Sequence, residues 1–225
     1  MSQYKAVIFD LDGTLLYTLE DLKNSANYAL EKHGMDTCSL HEIQYRVGNG
    51  VQKLMERCVP EGLENPEFEA VFADFKEHYK IHCNDNSGPY DGIPEVLARL
   101  KEQGYKLAIV SNKFMDATRE LAKLYFKDTI DVAIGETKDI RKKPAPDTVI
   151  EAMKILGVTA DECIYVGDSD VDINTARNSG MPCICVEWGF RTRKEQEEAG
   201  GVIFANKPAD IFDIVEGGKL ICNRT

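Results

Sequence analysis

Asp10 and Asp12 stand two residues apart, directly after the apolar run Ala6 to Phe9 and just before Gly13. A strand ending in paired acids delivers them to the crevice beyond the carboxyl ends of an open α/β sheet, where ligands bind. Two acids sharing that crevice can divide nucleophilic attack and proton transfer, which points to phosphoryl-transfer chemistry. Other strand-like runs also end in polar residues: Ser111 and Asn112 follow Val110, and Asp168 follows Val166-Gly167. A single acid after a strand is commonly a helix cap. Several polar strand ends converging on one crevice form a site.

Cleaving a phosphate ester requires neutralised phosphoryl oxygens, a nucleophile in line with the leaving oxygen, and a proton for the departing alkoxide. Two carboxylates facing a phosphate dianion repel it, so a divalent cation must bridge them, and hard carboxylate oxygens favour Mg²⁺. Asp10 and Asp168 are the natural ligands. Lys143, within Arg141-Lys142-Lys143-Pro144-Ala145-Pro146, sits in a proline-stiffened loop suited to hold one ammonium over the transferring group. Ser111 and nearby backbone N–H groups offer further donors.

These residues need a scaffold, and the pattern of the chain supplies one. From about residue 20 to residue 84 the periodicity is helical, with no convincing strand. Leu19, Leu22, Ala26, Ala29 and Leu30 form one apolar stripe, and Phe68, Val71, Phe72, Phe75 and Tyr79 form another. From Ile93 onward helix and strand alternate, which predicts parallel crossovers and a sheet covered on both faces. Helices are expected at 94–103, 116–124, 146–156, 172–178 and 209–215, and strands at 106–110, 131–134, 163–166, 183–186 and 201–204. The expected architecture is therefore an α/β core, residues 1–16 and 90–225, holding an inserted all-helical unit, residues 17–89.

The segments Asp10-Leu11-Asp12-Gly13-Thr14, Ser111-Asn112, Lys143-Pro144 and Gly167-Asp168-Ser169-Asp170-Val171-Asp172 resemble, in order, the four motifs of the haloacid dehalogenase superfamily. The resemblance spans nearly the whole chain. It implies a Rossmann-like core with a helical cap inserted after the first strand. It also implies a two-step reaction in which Asp10 attacks phosphorus to form an aspartyl-phosphate, while Asp12 protonates the leaving alcohol and then takes a proton from water. By the same resemblance Mg²⁺ is held by Asp10, by the main-chain carbonyl of Asp12 and by Asp168. Ser111, Asn112 and Lys143 would bind the phosphoryl group, and Asp172 would orient Lys143 or a metal-bound water. An acid at position 12 separates the chain from the dehalogenases proper and favours a phosphatase.

Within the superfamily, Val47-Gly48-Asn49-Gly50, Pro89-Tyr90-Asp91-Gly92-Ile93-Pro94-Glu95, Leu107 to Lys113 and Trp188-Gly189-Phe190-Arg191 look most like bacterial phosphoglycolate phosphatases. Gly48 and Asn49 are the candidate substrate contacts, because glycines let backbone amides approach a carboxylate and the next helix points its N-terminus there. Three alternatives share much of the pattern: a phosphosugar mutase, a pyrophosphatase of the same superfamily, and a non-enzymatic phospho-accepting receiver. Receivers are about half this length and carry their acceptor acid on a later strand.

Composition narrows the partners. With 225 residues, 43% of them hydrophobic, the chain can bury a real core. A formal charge of −11 disfavours nucleic acid. No apolar run approaches the ~18 residues that a membrane span needs. The expectation is a cytoplasmic monomer or homodimer acting on a small phosphorylated metabolite. Seven cysteines without a C-x-x-C pair read as reduced thiols, mostly core filler. His78 and His82 lack a third ligand for zinc, His33 and His41 look incidental, and Asn223-Arg224-Thr225 matches a glycosylation acceptor without meaning in a cytosolic protein.

Overall fold

The structure, a computed structural model, describes residues 3–217; Cys222 and the Asn223-Arg224-Thr225 triplet lie outside them. In chain order, β1 (Ala6–Phe9) and the short β2 (Leu16–Tyr17) precede α1 (Leu19–Lys32), α2 (Leu40–Arg46), α3 (Val51–Cys58) and α4 (Phe68–His82). After β3 (Gly88–Pro89) come α5 (Ile93–Glu102), β4 (Lys106–Phe114), α6 (Met115–Phe126), β5 (Val132–Glu136) and α7 (Asp147–Leu156). The chain continues with β6 (Cys163–Gly167), α8 (Asp170–Asn178), β7 (Cys183–Val186), α9 (Arg193–Glu198), β8 (Ile203–Ala205) and α10 (Pro208–Val215). It divides into two compact units, residues 1–16 with 89–225, and residues 17–88.

The first unit is built on a six-stranded sheet of order β5-β4-β1-β6-β7-β8, and every pairing in it is parallel. The chain leaves β1 toward β4 and β5, then returns to the other side of β1 for β6, β7 and β8. The strand order thus reverses beside β1, and loops on either side of that switch open a crevice at the carboxyl strand ends. Period-2 alternation explains why β1 is wholly apolar. Val7 and Phe9 face one layer with Leu97, Ile211 and Phe212, while Ala6 and Ile8 face the other with Val149, Ala152 and Ala176.

β4 runs longer than its sequence pattern predicts. Its pairing with β5 passes from Val110↔Ile134 to Phe114↔Glu136, so four steps on β4 answer two on β5. The polar residues Ser111, Asn112 and Lys113 occupy this irregularity. A bulge of this kind re-aims side chains at a strand end without ending the strand.

The second unit is helical. Leu19, Leu22, Ala26, Ala29 and Leu30 of α1 are buried, as are Phe68, Val71, Phe72, Phe75 and Tyr79 of α4, and these two helices pack together. Successive aromatic rings of α4 stack, with Phe75 and Tyr79 centroids 5.3 Å apart. α2 begins at a Ser39 capping box in which Glu42 answers the Ser39 N–H. Among the described residues no helix is long and apolar enough to cross a membrane.

Candidate active site

β1 ends in Asp10, whose N–H still donates to Val166 O at 2.9 Å and so extends the ladder with β6. The side chain is thereby fixed at the sheet's switch point. Its Oδ1 accepts the Leu11 N–H at 2.7 Å and pairs with the Lys143 ammonium at 2.7 Å. Both contacts fall on Oδ1, which leaves Oδ2 as the oxygen available to a reacting partner.

Lys143 is held from every direction. Its Nζ lies 2.8 Å from Asp172 Oδ1 and donates to Tyr165 Oη at 3.1 Å, and the tyrosine hydroxyl in turn donates to Asp172 at 3.0 Å. Asp172 Oδ2 accepts the Ser169 N–H at 3.1 Å and the Ser169 hydroxyl at 2.6 Å, closing the capping box that starts α8. One carboxylate therefore caps a helix and orients the ammonium. Asn112 does related work on the main chain: its Nδ2 donates to Lys143 O at 3.0 Å and its Oδ1 accepts the Lys143 N–H at 2.8 Å. The sequence groups Asn112 with the phosphate binders; here its Oδ1 and one N–H of Nδ2 are engaged by the Lys143 main chain.

Asp168 is 2% exposed and cradled closely. Its Oδ2 accepts the Phe190 N–H at 2.7 Å, its Oδ1 lies 3.4 Å from the Thr14 hydroxyl, and its main-chain oxygen accepts from the buried Gln196 at 2.8 Å. Glycine is required at 13 and 189, because a Cβ at either position would collide with the Asp168 side chain. Trp188 Nε1 donates to Thr14 O at 3.0 Å, tying the loop after β7 to the loop after β1.

Asp12 lies in the tight turn after β1, where Gly13 N–H donates to Leu16 O at 2.9 Å. Its Oδ1 accepts from Lys113 Nζ at 2.8 Å, and the lysine side chain is only 2% exposed. Lys113 received no role from the sequence. Its signal was present in Ser111-Asn112-Lys113, but the partner is a hundred residues away and only the β4 bulge brings them together. Ser111 is buried beside it, its Oγ accepting the Lys113 N–H at 3.1 Å.

Carboxylate oxygens of Asp10, Asp168 and Asp172 all lie within 4.8 Å of one another. Burial and the Asp172 charge push the Asp10 carboxyl well above the usual carboxylate range, against the pull of Lys143. Burial and the same Asp172 charge push Asp168 up to about 7, against the Phe190 N–H. Burial alone would lower the Lys143 ammonium, but the Asp10 and Asp172 charges hold it above its ordinary value. Three buried carboxylates around one buried ammonium leave excess negative charge in a hard-oxygen pocket, and a divalent cation suits that deficit. Asp172 is the least available as a ligand, since both its oxygens are already engaged. The sequence-derived site residues Asp10, Asp12, Ser111, Asn112, Lys143, Asp168 and Asp172 all belong to the α/β unit, whereas Gly48 and Asn49 belong to the helical unit. In that turn Asn49 Oδ1 accepts from Arg57 at 2.8 Å, and Gly50 takes a φ of 84° as α3 begins.

Comparison with known proteins agrees with this geometry. The Haloacid dehalogenase-like hydrolase family profile matches residues 7–186. A phosphoglycolate phosphatase from Thiobacillus denitrificans is 34% identical over 193 residues, covering 83% of this chain and 84% of that protein. An N-acetylmuramic acid 6-phosphate phosphatase from Pseudomonas aeruginosa is 27% identical, covering 97% of each chain. Among solved structures, a candidate phosphoglycolate phosphatase from Lactobacillus delbrueckii subsp. bulgaricus superposes with a TM-score of 0.91 at 36% identity, covering 96% of this chain and 99% of that one. The four motifs, the parallel sheet and these likenesses together make the chain a member of the haloacid dehalogenase-like hydrolase family.

Proposed function

We propose that the chain is a Mg²⁺-dependent phosphatase that hydrolyses small phosphate monoesters through a phosphorylated Asp10. The observation carrying this reading is the arrangement of one buried ammonium, Lys143, against Asp10 with Asp168 alongside. Asp10 Oδ2 attacks phosphorus while the bond from phosphorus to the ester oxygen breaks, and Asp12 gives its proton to the departing alkoxide. Asp12 then takes a proton from water, whose oxygen attacks phosphorus and releases Asp10 and inorganic phosphate. Lys143 and Ser111 bind phosphoryl oxygens; Asp172 and Asn112 hold Lys143 in place. Mg²⁺, held by the carboxylates of Asp10 and Asp168 and the main-chain carbonyl of Asp12, supplies positive charge that lets a dianion enter an acidic pocket.

Lys113 keeps Asp12 aligned for both proton transfers. The Lys113 end of the pair is buried and the Asp12 end half-buried, so the pair is stiffer than a surface one.

The substrate class we favour carries a carboxylate besides the phosphate. Two relatives named above act on acids, phosphoglycolate and N-acetylmuramic acid 6-phosphate, by their names. By the sequence reading, Gly48 and Asn49 are the candidate contacts for that carboxylate.

A panel of esters that includes 2-phosphoglycolate, N-acetylmuramic acid 6-phosphate and a hexose 1-phosphate, assayed with and without Mg²⁺, tests the reading. Sustained metal-dependent phosphate release, fastest on a carboxylated ester, supports it. Isomer formation from the hexose phosphate without net release would make the chain a mutase. A phosphoprotein that forms without multiple turnover would make it a receiver.

A further inference from the structure

Gln196 is the one buried residue of α9, a six-residue helix whose other side chains are all charged and which starts at the Thr192 capping box. It is 0% exposed. Its main chain is fixed at both ends, the N–H donating to Thr192 O at 3.1 Å and the carbonyl accepting the Gly201 N–H at 2.8 Å. Position 201 takes glycine because a Cβ there would meet the Gln196 carbonyl at 2.9 Å and Cys185 Sγ at 2.7 Å. A side chain so held keeps its amide in one place.

The amide reaches the point where two strands part. The ladder between β6 and β7 ends at Gly167↔Cys185. One residue further on, Asp168 O and Val186 O each accept from Gln196 Nε2 at 2.8 Å. The carboxamide thus stands in for a further rung, at the residue whose carboxylate enters the acidic pocket. The Phe190 N–H holds Asp168 Oδ2 at 2.7 Å. With its main chain and one oxygen fixed, Asp168 keeps Oδ1, 3.4 Å from the Thr14 hydroxyl, for a cation.

This arrangement has a cost that packing alone does not explain. Gln196 Oε1 is buried and accepts no hydrogen bond among the described residues. A methionine of the same length would fill the space without an unpaired oxygen. It would also leave two carbonyls without this donor and Asp168 without its main-chain anchor.

We propose that Gln196 is a positioning residue for Asp168: its amide locks the main chain after β6 to the end of β7, and so sets the affinity of the pocket for Mg²⁺. The inference rests on the reading of Asp168 as a Mg²⁺ ligand. Residues that orient a metal ligand act through its placement, and their loss weakens metal binding roughly tenfold to a hundredfold. Asp10 and Asp12, on the loop after β1, keep their chemistry once the metal is bound.

The test melts the full chain across a series of Mg²⁺ concentrations, with Asp168→Asn marking the response of the acidic surface alone. Mg²⁺ should raise the melting temperature of the parent more than that of Asp168→Asn, and Gln196→Met should need roughly tenfold more Mg²⁺ for the same rise. In steady-state phosphate release the Mg²⁺ concentration for half-maximal rate should shift by the same factor, with kcat at saturating Mg²⁺ within about twofold. Arg177→Gln cuts another tether of α9, the 2.9 Å bond to Ala199 O, and should leave the Mg²⁺ response unchanged. If Gln196→Met does not fold, Gln196→Leu takes its place; failure of both to fold would assign Gln196 to the fold alone and overturn the proposal. An unchanged Mg²⁺ response in the folded variant, an equal loss in Arg177→Gln, or a fall in kcat that saturating Mg²⁺ does not restore also overturns it. A parent that responds no more than Asp168→Asn would sink the metal reading, and this proposal with it.

Discussion

Lys143 and His33 solve the same problem in two different solvents. Each is a cation between two carboxylates: Lys143 lies 2.7 Å from Asp10 and 2.8 Å from Asp172, and His33 lies 2.8 Å from both Glu67 and Asp74. Lys143 is 4% exposed in the sheet unit, whereas the His33 cluster sits at the surface where α1 meets α4. Around Lys143, burial dominates. It raises Asp10 and Asp168 and leaves the pocket short of positive charge. Around His33, hydrogen bonds dominate: both ring nitrogens face carboxylate oxygens, so both donate, and the imidazolium is held above its ordinary pKa. A buried charge triad stabilises little relative to an apolar replacement and is strongly destabilising when broken. Its presence at the sheet's switch point fits the proposed chemistry, while the half-buried His33 cluster is a clasp between helices.

The sharpest way to break this contrast is to remove the reactive member of the buried triad. Asp10→Asn should lower kcat on the best ester on the order of 10⁴-fold or more, measured by phosphate release, because no other oxygen is placed to attack. Lys143→Met should lower activity comparably and also destabilise the fold by about 3–5 kcal/mol in urea unfolding, since it strands Asp10 and Asp172 as unpaired buried charges. Lys113→Met leaves the Asp10 triad intact and acts only through Asp12. We expect kcat to fall roughly tenfold to a hundredfold with little change in KM, read from steady-state kinetics. The smallest effect belongs to the His33 clasp. Its folded pKa is raised, so its stabilising contribution is complete below about pH 6.5 and is lost as pH rises through the raised value. The melting temperature should therefore fall between pH 6 and pH 9 by more in the parent chain than in His33→Gln.

The comparison also shows what a linear chain reveals. The positions of Asp10, Ser111 and Asp168 were legible because each follows a short apolar run, whereas Lys143 stands out by its proline-flanked basic loop. The parallel sheet was legible because helix and strand alternate from Ile93 onward. Lys113 was hidden because its meaning depends on the β4 bulge and on an acid a hundred residues away. The contact between Asn112 and the Lys143 main chain was not legible, because the two lie 31 residues apart and only the fold brings them together. Helix α9 leaves no signal in the sequence because Arg193-Lys194-Glu195-Gln196-Glu197-Glu198 has no apolar stripe, yet its Gln196 reaches inward to the main chain of Asp168. His33 looked incidental because both of its carboxylate partners lie on or beside α4, far along the chain.

Covalent capture of the phosphorylated enzyme tests the central claim most directly. An ester labelled in its phosphate, mixed with excess protein and quenched in acid within a turnover, should leave label on the peptide containing Asp10, removable by hydroxylamine and absent in Asp10→Asn. Full phosphate release with no protein-bound label, or label on any other residue, would contradict the account.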